Sequence, residues 1–155
     1  MNPRTDQDPG WQLRRVGRRL AVLWAALLVG TGLFADAPPE DALRAREVVA
    51  QQLLAFAQDD AARAYALADP GLQRRYPDPQ QFLAMVRTRY PMVHRPVTVL
   101  FLKAEAAGSD ALQRVRFTDE RGGGWLATYV LQRQQDRQWR ISACLVVPSA
   151  PRLTA

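Results

Sequence analysis

The stretch WLATYVLQRQQDRQWRISACLVV, residues 125–147, decides the fold class of this chain. Its first part alternates between apolar and polar side chains, which is the period of a strand with one covered face. One side of that strand carries Trp125, Ala127, Tyr129 and Leu131. The polar residues around Asp136 predict a short turn into a second strand at 139–147. Two strands joined by a short turn pair in the antiparallel sense.

Two further strands are expected before this stretch. Residues 97–102 are mostly apolar, which predicts a well-covered strand. Residues 112–118 alternate, with Val115 and Phe117 opposite Arg114 and Arg116. The glycines at 122–124 predict a hairpin turn, because glycine accepts the backbone conformations that tight turns need. The sequence therefore predicts a four-stranded antiparallel sheet.

Helices precede the predicted sheet. Residues 41–58 have the apolar spacing of a helix, interrupted only by Gln52. The apolar stripe comprises Ala45, Val48, Val49, Leu53, Phe56 and Ala57. Asp78 followed by Pro79, with Gln81 at the capping-box position, is typical of a helix start, and Pro91 ends that helix. Helices followed by an antiparallel meander indicate an α+β fold. A curved sheet wrapped on the long first helix would enclose a cone-shaped hollow.

Asp59 and Asp60 lie side by side where the first helix gives way to a second one. Aspartate is a preferred N-cap, because its carboxylate accepts hydrogen bonds from the free N–H groups of the first helical turn. Adjacent side chains on a helix do not face each other, whereas catalytic carboxylates must converge on one substrate. We therefore interpret the two aspartates as residues that close one helix and open the next.

The first 35 residues have the layout of an export signal. Five arginines precede an uncharged run at 20–35, and small residues and prolines follow. The run is shorter than the roughly 20 apolar residues that span a bilayer, which favours a signal peptide cleaved after Ala35 over an uncleaved N-terminal anchor. Either alternative places the domain, residues 36–147, outside the cytoplasm: in the periplasm or secreted after cleavage, or anchored in the inner membrane. Residues 148–155 are expected to form a flexible tail.

The composition argues against several chemistries. One cysteine, Cys144, and one histidine, His94, cannot supply a closed zinc site, and we expect neither a metal nor a cofactor. Cys144 is expected to be a small buried apolar residue. The formal net charge is +6, but the arginines of the domain are scattered along the chain. Nucleic-acid binding is therefore not expected, since it usually needs a clustered basic face.

Two parts of the chain resemble known families. VVAQQLLAFAQDDAARAYALADPGL, residues 48–72, resembles the opening helices of the nuclear-transport-factor-2-like (NTF2-like) superfamily. FLAMVRTRYP at 82–91 and GGGWLATYVLQRQQDRQWRISAC at 122–144, together with the predicted signal peptide, resemble the narrower bacterial DUF4864 family of unknown function. The narrower resemblance covers roughly residues 38–147. It implies a cone-like α+β fold and an exported location, and it supplies no catalytic residues.

Two functional hypotheses place a site inside the hollow. A pocket enzyme of the isomerase or dehydratase type would use acid–base groups, for which the candidates are Tyr65, Tyr90, His94 and Tyr129. A non-enzymatic domain that binds a small apolar ligand would use aromatic side chains, for which the candidates are Phe82, Phe101, Trp125, Tyr129 and Trp139. The structural alternative is that these rings fill the core and that His94 lies in a surface loop.

The third hypothesis is an interaction protein that forms a homodimer through the open face of the sheet. Arginines at alternating strand positions would make that face polar and able to pair with a partner. They are Arg114, Arg116, Arg133 and Arg140. We favour a non-enzymatic binding domain, and the sequence leaves both a small ligand and a protein partner open.

The capping interpretation predicts a loss of stability. Replacing Asp60 with alanine should lower the free energy of unfolding by about 1 kcal/mol, because a capping hydrogen bond is lost. Asp59→Ala should destabilise the domain as well. Denaturant unfolding measures both changes. Unchanged stability together with loss of a measured activity would contradict the interpretation.

Overall fold

The computed structural model describes residues 39–149. The predicted export segment, its cleavage position and residues 150–155 of the predicted tail lie outside the described residues. No helix within 39–149 is long and apolar enough to cross a membrane.

The described part of the chain begins with five helices. They are α1 (Pro39–Ala57), α2 (Ala61–Ala66), α3 (Pro70–Arg75), α4 (Pro79–Arg89) and α5 (Pro91–His94). Asp60, Asp69 and Asp78 are the N-caps of α2, α3 and α4, and each carboxylate accepts a hydrogen bond from a backbone N–H of the first turn. The predicted caps at Asp60 and Asp78 are thus confirmed.

The sequence pattern does not predict α3, because Pro70 and Gly71 indicate a break in the chain. Pro70 instead occupies the first turn of α3, where its missing N–H would have had no helical partner. The Asp69 carboxylate accepts from the Leu72 N–H at 2.7 Å and so completes the helix start. A proline after an aspartate can therefore open a helix as well as end one.

An open antiparallel sheet of five strands follows the helices. The strands are β1 (Thr98–Phe101), β2 (Glu105–Ala107), β3 (Asp110–Thr118), β4 (Gly124–Arg133) and β5 (Trp139–Pro148). β1, β3, β4 and β5 lie in that order, and β2 pairs with the first residues of β3. The α+β class is as predicted, whereas the count of four omits β2, whose three residues are too few to show an alternating pattern.

The side chains of β3 and β4 divide between two faces of the sheet. The buried ones alternate along each strand: Ala111, Gln113, Val115 and Phe117 on β3, then Ala127, Tyr129 and Leu131 on β4. We call this side, on which α1 packs against β3 and β5, the inner face. The opposite side is the outer face, and no residue of β3 or β4 on it is buried.

A β-bulge determines which residues of β5 reach the outer face. The register of β5 against β4 shifts by one residue in the middle of the strand. Because the extra residue interrupts the alternation, Trp139 and Ile141 before the bulge and Cys144 after it are all buried. Leu145 and Val147 then point to the outer face, where they are 42% and 40% exposed.

The apolar stripe of α1 packs against the inner face. Ala45, Val49, Leu53 and Phe56 are buried as predicted, whereas Val48 is half-buried and Ala57 is exposed. Gln52, which interrupts the stripe, is buried too, and its Nε2 donates to the Ala64 carbonyl at 3.1 Å. Gln52 therefore connects α1 to α2 through a buried hydrogen bond.

β1 is less covered than the sequence predicts. Val97, Val99 and Leu100 are all exposed. β1 is a four-residue edge strand that pairs only with β3, and α1 packs mainly on β3 and β5. An apolar run predicts burial only where other elements cover both faces of the strand.

The turn between β3 and β4 is organised by one carboxylate. Asp119 accepts hydrogen bonds from the backbone N–H groups of Arg121 and Gly123 and from Nε1 of Trp125. The indole hydrogen bond is the main reason that the pKa of Asp119 lies below its ordinary value, and the Gly123 N–H adds to the shift. A Cβ atom on Gly123 would lie 2.7 Å from Oδ2 of Asp119, so this position requires glycine.

We expect Gly123→Ala to destabilise the domain by roughly 1–3 kcal/mol, because the new methyl group displaces the Asp119 carboxylate. The same substitution should cost less in an Asp119→Ala background, where the displaced group is absent. Urea unfolding of the two single variants and the double variant measures the coupling. Equal losses in both backgrounds would show that the contact with Asp119 is not the cause.

Candidate functional site

Asp59 and Asp60 make separate contacts, although they are adjacent in the sequence. The Asp60 carboxylate accepts from the Arg63 N–H at 3.0 Å, as an N-cap does. Asp59 has a left-handed backbone conformation, with φ of 55°, and its carboxylate points towards the residues after α5. The two carboxylates do not converge, so they do not form a catalytic pair. Asp59 nevertheless closes α1 as predicted, through its backbone: its N–H donates to the Phe56 carbonyl, and the N–H of Asp60 donates to the Ala55 carbonyl. Its carboxylate is bound by tertiary partners and does not cap a helix.

Asp59 is the centre of a charged cluster that joins three helices. Nε2 of His94 lies 2.7 Å from Oδ1 of Asp59, and Nη2 of Arg95 donates to Oδ2 at 2.7 Å. Nε of Arg87, near the end of α4, is 3.9 Å from Oδ1. We call Asp59, Arg87, His94 and Arg95 the corner cluster. It fixes the α1–α2 corner to the ends of α4 and α5.

The corner cluster favours the ionised form of Asp59. The hydrogen bond with His94 is the main reason that the pKa of Asp59 is lowered, and the charges of Arg87 and Arg95 lower it further. Partial burial acts in the opposite direction and does not outweigh them.

His94 is buried at the end of α5, and the expectation of a surface loop is wrong because the ring turns inward to Asp59. A carboxylate that holds an imidazole in this way can orient a general base. Within residues 39–149, however, neither the Cys144 thiol nor the hydroxyls of Tyr65 and Tyr129 bond to His94. No group of three or more potential metal-ligating side chains occurs in this range either. The bonds of His94 and Arg95 to Asp59 hold the α1–α2 corner against the end of α5.

The tyrosine candidates lie in different environments. The Tyr65 hydroxyl donates to the Gln73 carbonyl at 3.0 Å, and Nε2 of Gln73 donates back to the Tyr65 carbonyl, so this pair joins α2 to α3. Tyr90 is half-buried between α4 and α5. Tyr129 lies in β4 on the inner face. In the described part of the chain, no hydrogen bond joins Tyr65 or Tyr129 to His94.

Tyr129 is the most deeply buried of the candidates. Its strand neighbours on the inner face are Gln113 and Cys144. Burial raises the pKa of the Tyr129 hydroxyl well above its ordinary value and raises that of the Cys144 thiol to about 12. The thiol interacts with the hydroxyl, although the contact lacks the geometry of a full hydrogen bond. Cys144 is thus the buried small residue that the sequence predicts.

The five aromatic candidates for a ligand site do not form one cluster. Phe82 packs against Phe56, Tyr65 and Tyr76 among the helices. Trp125 belongs to the β3–β4 turn through its bond to Asp119. The other rings lie along the sheet, where arginines cover two of them: Arg46 over Phe101 and Arg133 over Trp139. Among the residues that the structure describes, no ring contact joins two of the five candidates.

The outer face carries apolar side chains that no element within residues 39–149 buries. Its apolar members are Leu100, Leu112, Leu126, Val130, Leu145 and Val147. Asp110, Arg114, Arg116, Thr128 and Gln132 lie among them. Leu100, Leu145 and Val147 are each at least two-fifths exposed. A contiguous exposed apolar surface marks a binding site more often than scattered apolar residues do.

The four arginines assigned to this face by the sequence do not all lie on it. Arg114 and Arg116 do, and Arg140 pairs with Gln132 at its end. Arg133 lies on the inner side, where it contacts Asp41 of α1 at 3.3 Å. Strand alternation separates Arg133 from the other three, since it is an odd-numbered residue like the buried ones of β4.

Comparison with known families agrees with the second resemblance seen in the sequence. The family model described as "Domain of unknown function (DUF4864)" matches residues 39–154. This chain belongs to the DUF4864 family. The DUF4864 match begins at the first residue of α1 and extends beyond β5, so it includes the corner cluster and the outer face. No curated protein matches the sequence.

The corner cluster predicts a pH dependence. Asp59→Asn keeps a residue type that tolerates the left-handed conformation but removes the negative charge. Because the native pKa of Asp59 is lowered, its contribution to stability is complete above about pH 4 and is lost as the pH falls further. The unfolding free energies of wild type and Asp59→Asn should therefore differ at neutral pH and converge below about pH 4.

Urea unfolding at several pH values between about 2.5 and 7 measures this convergence. Asp60→Asn is the matched control, because asparagine caps a helix about as well as aspartate does. We expect it to keep near-wild-type stability at neutral pH. A difference between wild type and Asp59→Asn that stays constant over the whole range would show that the ionised Asp59 carboxylate is not the source.

Proposed function

We propose that this chain is an exported, non-enzymatic NTF2-like domain whose working surface is the outer face of the sheet, and that this face binds a second copy of the chain. The observation that carries the proposal is the apolar outer face, which no element within residues 39–149 covers. Export to the periplasm or beyond is supported by the arginine-rich, then uncharged, then small-residue pattern of the first 35 residues.

The NTF2-like assignment is supported by the order and packing of the elements. A long first helix packs on one face of an antiparallel sheet, and a bulge lies in the last strand next to the point where residues 67–69 contact it. Bulges increase the curvature of a strand, as a cone-shaped sheet would require. The predicted four strands of the cone would correspond to β1, β3, β4 and β5.

The size of the outer face suits a dimer. β3, β4 and β5 have nine or ten residues and are about 30 Å long, and β1 and β2 together form a fourth row along β3. Four rows spaced about 4.8 Å apart cover about 19 Å, which gives a flat area of roughly 600 Å². Side chains roughen the face and increase its accessible area. Standard interfaces bury about 800 Å² on each partner. The face is therefore close to the area that a stable dimer needs.

The charges around the face suit a copy of the same chain. Arg114 pairs with Glu105 of β2 at one side, and Arg140 pairs with Asp136 at 2.7 Å at the other. A rim that carries both positive and negative charges can pair with an identical rim related by a two-fold rotation. A rim with charges of a single sign would instead favour a partner of opposite charge.

A small apolar ligand and a pocket enzyme remain the alternatives. A ligand site would need the aromatic candidates to converge, and the enzyme would rely on His94 with Asp59. The outer face is preferred because its apolar side chains are exposed already. The hydroxyl of Tyr129, in contrast, is enclosed without a hydrogen-bond partner in the described part of the chain.

Leu145→Glu tests the proposed surface. A buried charge without a partner is costly, so this substitution should weaken the dimer about 10- to 100-fold. Leu54→Glu is the matched control, because Leu54 is a similarly exposed leucine on α1, 48% against 42%. Sedimentation equilibrium over a range of concentrations measures both dissociation constants. An unchanged dimer in Leu145→Glu would exclude this face.

Native mass spectrometry of the full-length gene product, purified from the exported fraction of a bacterial host, tests the remaining parts of the proposal. We expect the mass of a dimer in which each chain begins near residue 36. Retained small-molecule mass would favour the ligand alternative. A monomer at every concentration would overturn self-association.

A further inference from the structure

Arg116 stands out on the outer face because its charge has no partner there. Arg114 pairs with Glu105 and Arg140 pairs with Asp136, but Arg116 makes no ion pair within residues 39–149. Its Nε–H group is fully buried and finds no hydrogen-bond acceptor in that range. Its cross-strand neighbours are Leu100 and Leu126. An unpaired guanidinium is thus held in the middle of an apolar row.

Asp110 is the complementary group on the same strand. It lies on the outer face at the start of β3 and, among the described residues, forms no ion pair. Its carboxylate accepts a long hydrogen bond of 3.4 Å from Nε2 of Gln132. Arg116 and Asp110 are six residues apart, or about 20 Å along the strand, so they cannot reach each other within one chain.

We propose that Arg116 of each copy pairs with Asp110 of the other when two outer faces meet. This inference rests on the proposed self-association and names the residues that fix its register. A two-fold axis that lies in the plane between the two faces and runs perpendicular to the strands, at the level of Gln113 and Tyr129, carries the level of Arg116 onto the level of Asp110. In such a two-fold symmetric interface the contact is made twice, because Arg116 of each copy meets Asp110 of the other.

The pairing follows from the cost of burying Arg116. Covering the outer face removes the remaining water from its guanidinium, and an ion without water is tolerated only when it is paired and hydrogen-bonded. Asp110 supplies the opposite charge, and the Gln132 amide oxygen beside it is a further acceptor within the reach of an arginine. The long bond between Asp110 and Gln132 leaves the carboxylate free to accept two N–H groups.

Charge-reversal variants test the proposal. In Arg116→Asp, two aspartates would face each other at both contacts, and in Asp110→Arg, two arginines would. Each variant alone should therefore be a monomer at concentrations where the wild-type protein is a dimer. An equal mixture of the two variants should form a heterodimer with a dissociation constant within about tenfold of the wild-type value, because both of its contacts then join opposite charges.

Native mass spectrometry separates the three species when one variant carries a mass label. Heterodimer recovery supports the pairing, and it also shows that both variants fold. A wild-type dimer without heterodimer recovery would overturn the Arg116–Asp110 pairing and leave self-association standing. A wild-type monomer would overturn self-association itself.

Neutral variants decide the question if a charge reversal prevents folding. Arg116→Gln, Asp110→Asn and the double variant form a double-mutant cycle for the dimer dissociation constant. We expect the double variant to weaken the dimer no more than about tenfold beyond either single variant, because the two groups act together. If the double variant instead raises the dissociation constant by the product of the two single effects, the two residues act independently, and the pairing is overturned.

Discussion

The helices within residues 39–97 cover only one face of the sheet, and the rest of the described structure depends on this constraint. The alternating residues of β3 and β4 place Val115, Phe117 and Leu131 on the inner face, where α1 removes them from water. At about 25 cal/mol per Å² of buried apolar area, this burial is the main favourable term in folding. The same alternation places Leu126 and Val130 on the outer face, where no described element covers them.

The inner face can be covered because the first two helices meet at a fixed corner. α1 ends at Ala57 and α2 begins at Ala61, so the chain must change direction within three residues. Asp59 permits the reversal with its left-handed backbone, and its carboxylate is held by His94 and Arg95. Gln52 adds a second connection from inside the helix pair. The corner cluster therefore has a structural role. The contact of His94 with Asp59 explains why the only histidine of the sequence is buried at the end of α5.

The sequence predicts the features that depend on neighbouring residues and not those that depend on distant ones. The strand alternation around Tyr129 and the caps at Asp60 and Asp78 are local patterns, and the structure contains them. The partner of Asp59 is 35 residues away, so no local pattern identifies it. The short strand β2 and the exposure of β1 depend on where β3 and α1 lie. The outer face could be anticipated in part, although strand alternation places Arg133 on the opposite side.

The edges of the sheet are poorly suited to pairing with another chain, which favours the proposed association through the outer face. The first part of β5 already bonds to the backbone between α2 and α3, through Asp69 N–H to the Ile141 carbonyl and Ile141 N–H to the Leu67 carbonyl. The opposite edge, β1, has only four residues, and Pro96 precedes it. Short strands and nearby prolines both discourage pairing with another chain. The outer face remains, and a single unpaired arginine within it would restrict association to arrangements that supply a carboxylate, thereby opposing the unspecific stacking that a purely apolar face would allow.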